Sequence, residues 1–401
     1  MSQVPLYNHV RSGDLVVGKP VPYSIYDTYD RLLLRRGKVL KSEQQRKLLR
    51  VVGRTRAVSP SEQPSPTRRA AKLESIELNQ HEHFDPFEQF FYCATNLQRA
   101  IKAVWLGKKD EFRERLSGMI SRLGNLIDRD ADAALGAAQL TKDFPNRVLH
   151  PMRKAIICDL LSRSAGMDGQ QRCSVVGAAL TANLGMLELQ DVLDNQHGGL
   201  SDEQLNKLHE HPLLSANMLR RAGVEDVSWL RAVLEHHERM DGSGYPRGIG
   251  KGQICDEACL LMLADSFMAM VTPRSYREAL TVRSALRELL GGKTVRYHSG
   301  YAKLLVKELG IYSPGTYLRL SNDEISVVAR RGKDPTSSPQ VYSFAVAGHE
   351  KTGQPHQRLD NPRHRNLAEE DVAIRGIYRS EDIKIPFSMN EVWGYSHVAE
   401  K

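Results

Sequence analysis

An aspartate in the middle of an apolar helix places the tightest constraint on this chain. Asp265 stands inside LLMLADSFMAM, residues 260–270. An unpaired carboxylate is expensive to bury, so the fold must bring partners to it. Histidines supply candidates. His236 and His237 are adjacent in EHHERMDGSGYPRG, His211 lies in a separate amphipathic stretch at 201–221, and His150 lies near the start of another at 148–163. Adjacent histidines on a helix point in different directions, so both serve one site only where it lies between packed elements. Histidines from several helices converging with one carboxylate make a metal site inside a helical bundle. The competing reading is that each is a surface or hydrogen-bonded histidine.

The rest of the chain is compatible with such a bundle. Phe87, Phe90, Phe91 and Ala94 recur at helical spacing, as do Leu116, Ile120, Leu123 and Ile127, and both stripes read as core. Residues 15–39 alternate strand formers with the breakers Gly18-Lys19-Pro20 and Arg35-Arg36-Gly37, and Ser42 precedes a run that reads as a capped helix start. RTRAVSPSEQPSPTRRA, from residue 54, is a linker by composition. TYLRLSNDEISVVARRG alternates around a turn and reads as a β-hairpin. Segment 346–370 is polar and reads as a loop, and the last thirty residues are weakly patterned. The expected organisation is a small β-rich module at 1–53, a disordered linker at 54–72, a helical region at 73–144, a helical domain at 145–310 and a β-containing extension at 311–401. The fold class is mainly α.

Charge and cysteine usage narrow the classes further. With 56 Lys and Arg against 48 Asp and Glu, the net charge is +8. That weakly favours acidic partners, but no aromatic-interleaved basic stripe supports nucleic-acid binding. Five cysteines are too few for a disulfide framework. Cys255 and Cys259 could ligate metal, although apolar packing suits them better. No signal peptide and no apolar run of membrane-spanning length is visible, so the expected location is the cytoplasm.

The stretch from His150 to about Gly310 resembles an HD-GYP domain, the helical family that hydrolyses cyclic di-GMP in bacteria. The segments that carry the resemblance are GAALTANLGMLELQDVLDNQHGGLSDEQLNKLHEHPLLSANMLRRAG, HHERMDGSGYPRG and ADSFMAMVTPRSYREAL, in that order. The resemblance implies a bundle of the HD superfamily. It assigns His150 as an upstream ligand, His211, His236 and His237 as histidines of the second metal, and Asp265 as the last metal aspartate. Arg274 and Arg277 resemble residues that contact the nucleotide or hold the site closed. Gly244, Tyr245, Pro246 and Arg247 form the loop implicated in docking diguanylate cyclase domains.

The pattern is broken at the motif that gives the family its name. Where members carry His-Asp-x-Gly-Lys, this chain has Ala182-Asn183-Leu184-Gly185-Met186. Asn146 stands where some members place a ligating glutamate, and Met268 where a second acidic residue often follows the metal aspartate. Asn183 offers a neutral oxygen to metal or ligand but no negative charge to support a bridging hydroxide. The three imidazoles could still hold one iron, manganese or zinc ion, while a binuclear centre is not expected. The resulting expectation is a degenerate, non-hydrolytic domain that binds cyclic di-GMP or docks a partner such as a diguanylate cyclase domain. The alternative is a phosphodiesterase with residual or altered metal use. The long helices at 86–140 could also support a homodimer.

Overall fold

A computed structural model describes residues 84–395, apart from 194–195, 197, 273–278, 292–295, 349–354 and 380–381. Within the first 83 residues it describes 7–9, 15–21, 23–26, 32–40, 49 and 54–56. The chain divides into two compact units, Met1–His83 and Phe84–Lys401.

The first unit is a small antiparallel sheet of β1 (Tyr7–His9), β2 (Ile25–Tyr26), β3 (Leu32–Leu34) and β4 (Arg54–Arg56), in the order β1-β4-β2-β3. Leu15, Val21, Ile25, Leu40 and Leu49 make its core. Strand β4 corrects the expected boundary: Arg54–Arg56 pairs with both β1 and β2, so the module extends into what composition marked as linker. The helix start expected after Ser42 falls outside the described residues.

The second unit begins with a helical hairpin, α1 (Pro86–Trp105) and α2 (Lys109–Leu140). Asp85 caps α1 by accepting from the backbone N–H groups of Phe87 and Glu88, with Pro86 in the first turn where its missing N–H costs nothing. The two expected stripes meet along this hairpin. Phe90, Ala94, Leu116, Leu123 and Ile127 are buried, Phe87 and Ile120 pack partly against the core, and Phe91 is exposed.

Helix α2 is not continuous. Asp130 leaves helical geometry (φ −157°, ψ 87°), and its Oδ1 accepts from the Ala133 N–H 2.9 Å away, restarting the helix as an N-cap does. Tyr395 Oη donates to Asp130 Oδ2 at 2.8 Å, and Arg330 pairs with Oδ1.

The described helices that follow are α3 (Asn146–Ser164), α4 (Gly169–Thr181), α5 (Leu187–Leu193), α6 (Asp202–Arg221), α7 (Val227–Glu235), α8 (Asp256–Val271), α9 (Val282–Gly291) and α10 (Ser299–Leu309). Capping boxes start α4 at Asp168/Gln171 and α6 at Ser201/Gln204. One hydrophobic core runs from Phe90 to Leu309, so the regions expected as 73–144 and 145–310 are a single packed body.

A five-stranded antiparallel sheet completes the unit: β5 (Tyr317–Leu320), β6 (Glu324–Arg330), β7 (Gln340–Val346), β8 (Gln357–Asn366) and β9 (Ile374–Tyr378), in the order β8-β7-β6-β5-β9. The expected hairpin is β5–β6, turning at Asp323 with φ 62°. Ile325, Val327 and Ala329 face Ala133 of α2 and Trp393, while Val328 joins Leu318, Leu320 and Val341 in a separate small core. Strand β8 overturns the reading of 346–370 as a loop. It is an edge strand, largely exposed and charged, which accounts for its missing apolar alternation, and an edge tolerates its Pro362. The weakly patterned tail contributes β9 and a short helix, α11 (Met389–Trp393). No described helix is long and apolar enough to cross a membrane.

Candidate metal centre and its pocket

Two helices bring the histidines together. His211 lies in the middle of α6 beside Pro212, and His236 and His237 directly follow the last turn of α7. The ring centroids of His211 lie 5.2 Å from His236 and 5.0 Å from His237, and those of His236 and His237 lie 4.0 Å apart. One potential ligand atom from each falls within 4.8 Å of the others. His211 is fully buried and His236 nearly so.

Backbone hydrogen bonds fix the tautomers of two of these rings. His211 Nδ1 donates to the Leu208 carbonyl at 2.6 Å, and His236 Nδ1 donates to the Val233 carbonyl at 2.7 Å. A carbonyl oxygen has no proton to give, so both hydrogens sit on Nδ1 and both Nε2 atoms present lone pairs. Those two Nε2 atoms face each other at 3.3 Å. Two lone pairs at that distance repel unless a cation lies between them. Two nitrogens on a tetrahedral zinc with bonds of 2.0–2.1 Å would stand about 3.3 Å apart. Burial pulls the His211 and His237 imidazoles down to about 3, and that of His236 well below its ordinary value. The rings are therefore neutral near pH 7, the form in which imidazole binds metal. The donor set fits one metal ion.

The second half of the site is built differently. Asp265 on α8 reaches the Nζ of Lys154 at 2.9 Å, and the same Nζ donates to Asn183 Oδ1 at 3.4 Å. The Lys154 side chain has no exposed surface. Burial pushes the Asp265 carboxyl up, but the Lys154 ammonium together with His237, His150 and His236 outweighs it and holds the group well below the usual carboxylate range. Asp265, His150 and Asn183, together with Asn146, Met186 and His237, line a cavity of about 590 Å3. Asp265 supplies the carboxylate of that lining; the neighbouring polar groups include the amides of Asn146, Asn183, Gln190 and Gln196. The Lys154 ammonium lies between Asn183 and Asp265.

The loop after α7 closes over the imidazoles. Tyr245 stacks on His237, with centroids 4.7 Å apart and planes at 27°, and its ring also meets His209 at 4.5 Å. A β-carbon on Gly244 would lie 2.4 Å from the Glu238 Cα, so only glycine allows this approach. Pro246 and Arg247 are exposed. The loop reads from its glycines as mobile, yet buried Glu238 ties it down. Glu238 Oε1 accepts from the Arg247 N–H at 2.7 Å and Oε2 from the Ile249 N–H at 3.0 Å. Glu235, equally buried, accepts from the Arg231 and Arg247 guanidinium groups and from the Cys255 N–H.

The structure thus brings His150, Asn183, His211, His236, His237 and Asp265 to one region, while Arg274 and Arg277 lie outside the described residues. Cys259 packs with Met240, Ile254 and Met262, and burial pushes its thiol up to about 12, which suits packing and not ligation. Sequence reasoning passed over Lys154, Glu235, Glu238 and His209. A signal for Lys154 was available: it follows His150 by one helical turn and immediately precedes the largely apolar run AIICDLL.

Residues 134–299 match the HD domain family. A cyclic di-GMP phosphodiesterase of Pseudomonas aeruginosa is 24% identical over 244 residues, which cover 61% of this chain and 58% of that protein. A cyclic di-GMP phosphodiesterase response regulator of Xanthomonas campestris pv. campestris is 30% identical over 186 residues, 46% of each chain. This chain thus spans about half the length of these relatives. Among solved structures, an HDG"Y"P protein of Bdellovibrio bacteriovorus superposes with a TM-score of 0.53 at 18% identity, covering 75% of this chain and 98% of that one.

Proposed function

Over residues 134–299 the chain belongs to the HD-GYP family of HD-domain proteins, and from that premise we propose that it is a cyclic di-GMP signalling protein whose domain binds the dinucleotide without hydrolysing it. One observation carries this reading: Asp265, the carboxylate lining the cavity, is neutralised by Lys154, and its neighbour Asn183 is a neutral amide. Phosphodiester hydrolysis by shared metals needs a hydroxide held and activated between them. This half of the pocket has neither the bridging charge nor the room for a second ion.

What remains suits binding. The cavity presents amide groups that can both donate and accept, an apolar wall including Met186, Leu193, Leu200 and Leu208, and His237 at its inner side. A nucleotide base and its sugar match that mixture. The exposed Pro246 and Arg247 offer the rim where a diguanylate cyclase domain would dock, with Tyr245 turned inward onto His237.

The tetrahedral spacing of the His211 and His236 nitrogens favours a second reading, a phosphodiesterase working with one metal. That metal would be iron, manganese or zinc, held by His211, His236 and His237, and it would polarise a phosphoryl oxygen. Calorimetric titration with cyclic di-GMP, with and without manganese or iron, separates the readings when run beside elemental analysis and a turnover assay. Saturable binding with no linear or monomeric product is the expected result. Turnover abolished by His237→Ala would establish the single-metal enzyme instead, and absence of binding would remove the dinucleotide from the proposal.

A further inference from the structure

We propose that the side chain of Lys154 is the resident cation of this pocket, a covalently attached ammonium standing where a second metal ion would otherwise lie between Asn183 and Asp265. The proposal deepens the single-metal reading of the imidazoles and rests on it only for the total count.

Three features of the site support it. The Nζ of Lys154 lies 2.9 Å from Asp265 Oδ1 and 3.4 Å from Asn183 Oδ1, so it bridges two oxygen ligands from different elements, as a metal would. Its stem climbs through the protein on the inner face of α3, one turn beyond His150, and the side chain is wholly buried. Ala182, at the position where the family carries a ligating histidine, is fully buried and offers a metal no ligand atom. An ammonium is held by hydrogen bonds and charge, as here, but has no empty orbital to accept a water oxygen. It can donate a hydrogen bond to a water but cannot coordinate it or acidify it as a metal ion does. Lys154 therefore supplies a single positive charge at this position and omits a metal's chemistry, which balances the charge of Asp265 without any ion from solution. Lys154 acts through Asp265 and Asn183 and is a positioning residue.

The test is a metal count on purified, folded chain. Wild type, Asn183→Asp, and the double variant Lys154→Met/Asn183→Asp are equilibrated with excess manganese, desalted, and assayed for metal per chain. The expected result is about one ion in the wild type and in Asn183→Asp, and about two in the double variant. A second ion in the wild type or in Asn183→Asp overturns the proposal, as does a folded double variant that gains none over the wild type. If the double variant does not fold, anomalous scattering from manganese-soaked wild-type crystals decides. A peak between Asn183 and Asp265 overturns the proposal, and a peak at the imidazoles with none there supports it. Counts of zero in the wild type and one in the double variant would overturn the single-metal reading of the imidazoles while supporting the role of Lys154.

Discussion

A β-carbon on Gly185 would lie 2.9 Å from the carbonyl oxygen of His211. It would also lie 2.8 Å from Leu214 Cβ and 2.9 Å from Ser215 N, while the Gly185 N–H donates to Ser215 Oγ at 2.9 Å. The turn after Asn183 thus rests directly on the backbone that carries His211. Gly185→Ala forces these elements apart, at a cost of about 1–3 kcal/mol for overpacking. Its effect on the imidazoles is the more specific one. Displacing a residue that orients a ligand costs about 10–100-fold in metal affinity. A zinc competition titration beside thermal unfolding would show both, and an unchanged metal affinity would uncouple this turn from the site.

Glu238 holds two backbone N–H groups of the GYP loop with one carboxylate. Glu238→Ala leaves both without that partner. With hydrogen bonds to a charged group worth about 1.5–3 kcal/mol each, the loop should open locally at a small fraction of the global unfolding cost. Amide exchange at Arg247 and Ile249 should quicken at least tenfold relative to α8. Equal acceleration everywhere would mean that the residue acts on global stability alone.

The C-terminal sheet has its own acid sensitivity. Burial raises the Glu324 carboxyl, but Arg365, Ser343 and Arg363 outweigh it and bring the group down to about 2. The bonds to Arg365 are 2.6 and 2.7 Å and that to Arg363 is 3.2 Å. A carboxyl whose folded value is depressed stabilises fully above its unfolded value and loses that contribution as pH falls toward the folded one. Stability of the sheet should therefore decline between about pH 4.5 and 2. Glu324→Gln should flatten that part of the profile and lower stability near pH 7, measured by denaturant unfolding followed at several pH values.

The thiols should separate into two classes. Cys173 is exposed, whereas Cys93, Cys158 and Cys259 are buried. Burial pushes the Cys93 thiol up to about 12, and that of Cys158 higher still. The thiolate is the reactive form, so a disulfide reagent at pH 8 should label Cys173 within minutes and leave the buried three until the chain unfolds. Fast labelling of Cys158, which lies one turn after Lys154 on α3, would show that the helix beneath the pocket opens readily.

The histidine cluster was legible because its anomaly is local: two histidines in succession, and a carboxylate in an apolar helix, each demand partners. Lys154 makes the same demand, but a lone lysine in a helix is so often a solvated one that its turn-by-turn relation to His150 carries little weight without the facing helix. Strand β8 was hidden for a different reason. It pairs with β7 on one edge, most of its side chains face water, and Arg365 turns in to Glu324, so nothing in QRLDNPRHRN alternates in hydropathy. Glu238 was obscured by the glycines that follow it. Positive φ at Gly242 and Gly248 shows where the backbone turns, and only the folded loop shows the carboxylate that stops it moving.

The break at Asp130 bears on what can be inherited or transplanted as a unit. The stretch that matches the family starts beyond Asp130 and stops short of Arg330 and Tyr395, so cutting there discards the residue that restarts the helix and both of its distant partners. A gene fusion or a recombination event that moved residues 134–299 alone would deliver the histidines on an unfinished scaffold. A cassette that keeps the capped α1–α2 hairpin, the sheet, α11 and Tyr395 together runs from Phe84 to at least Tyr395.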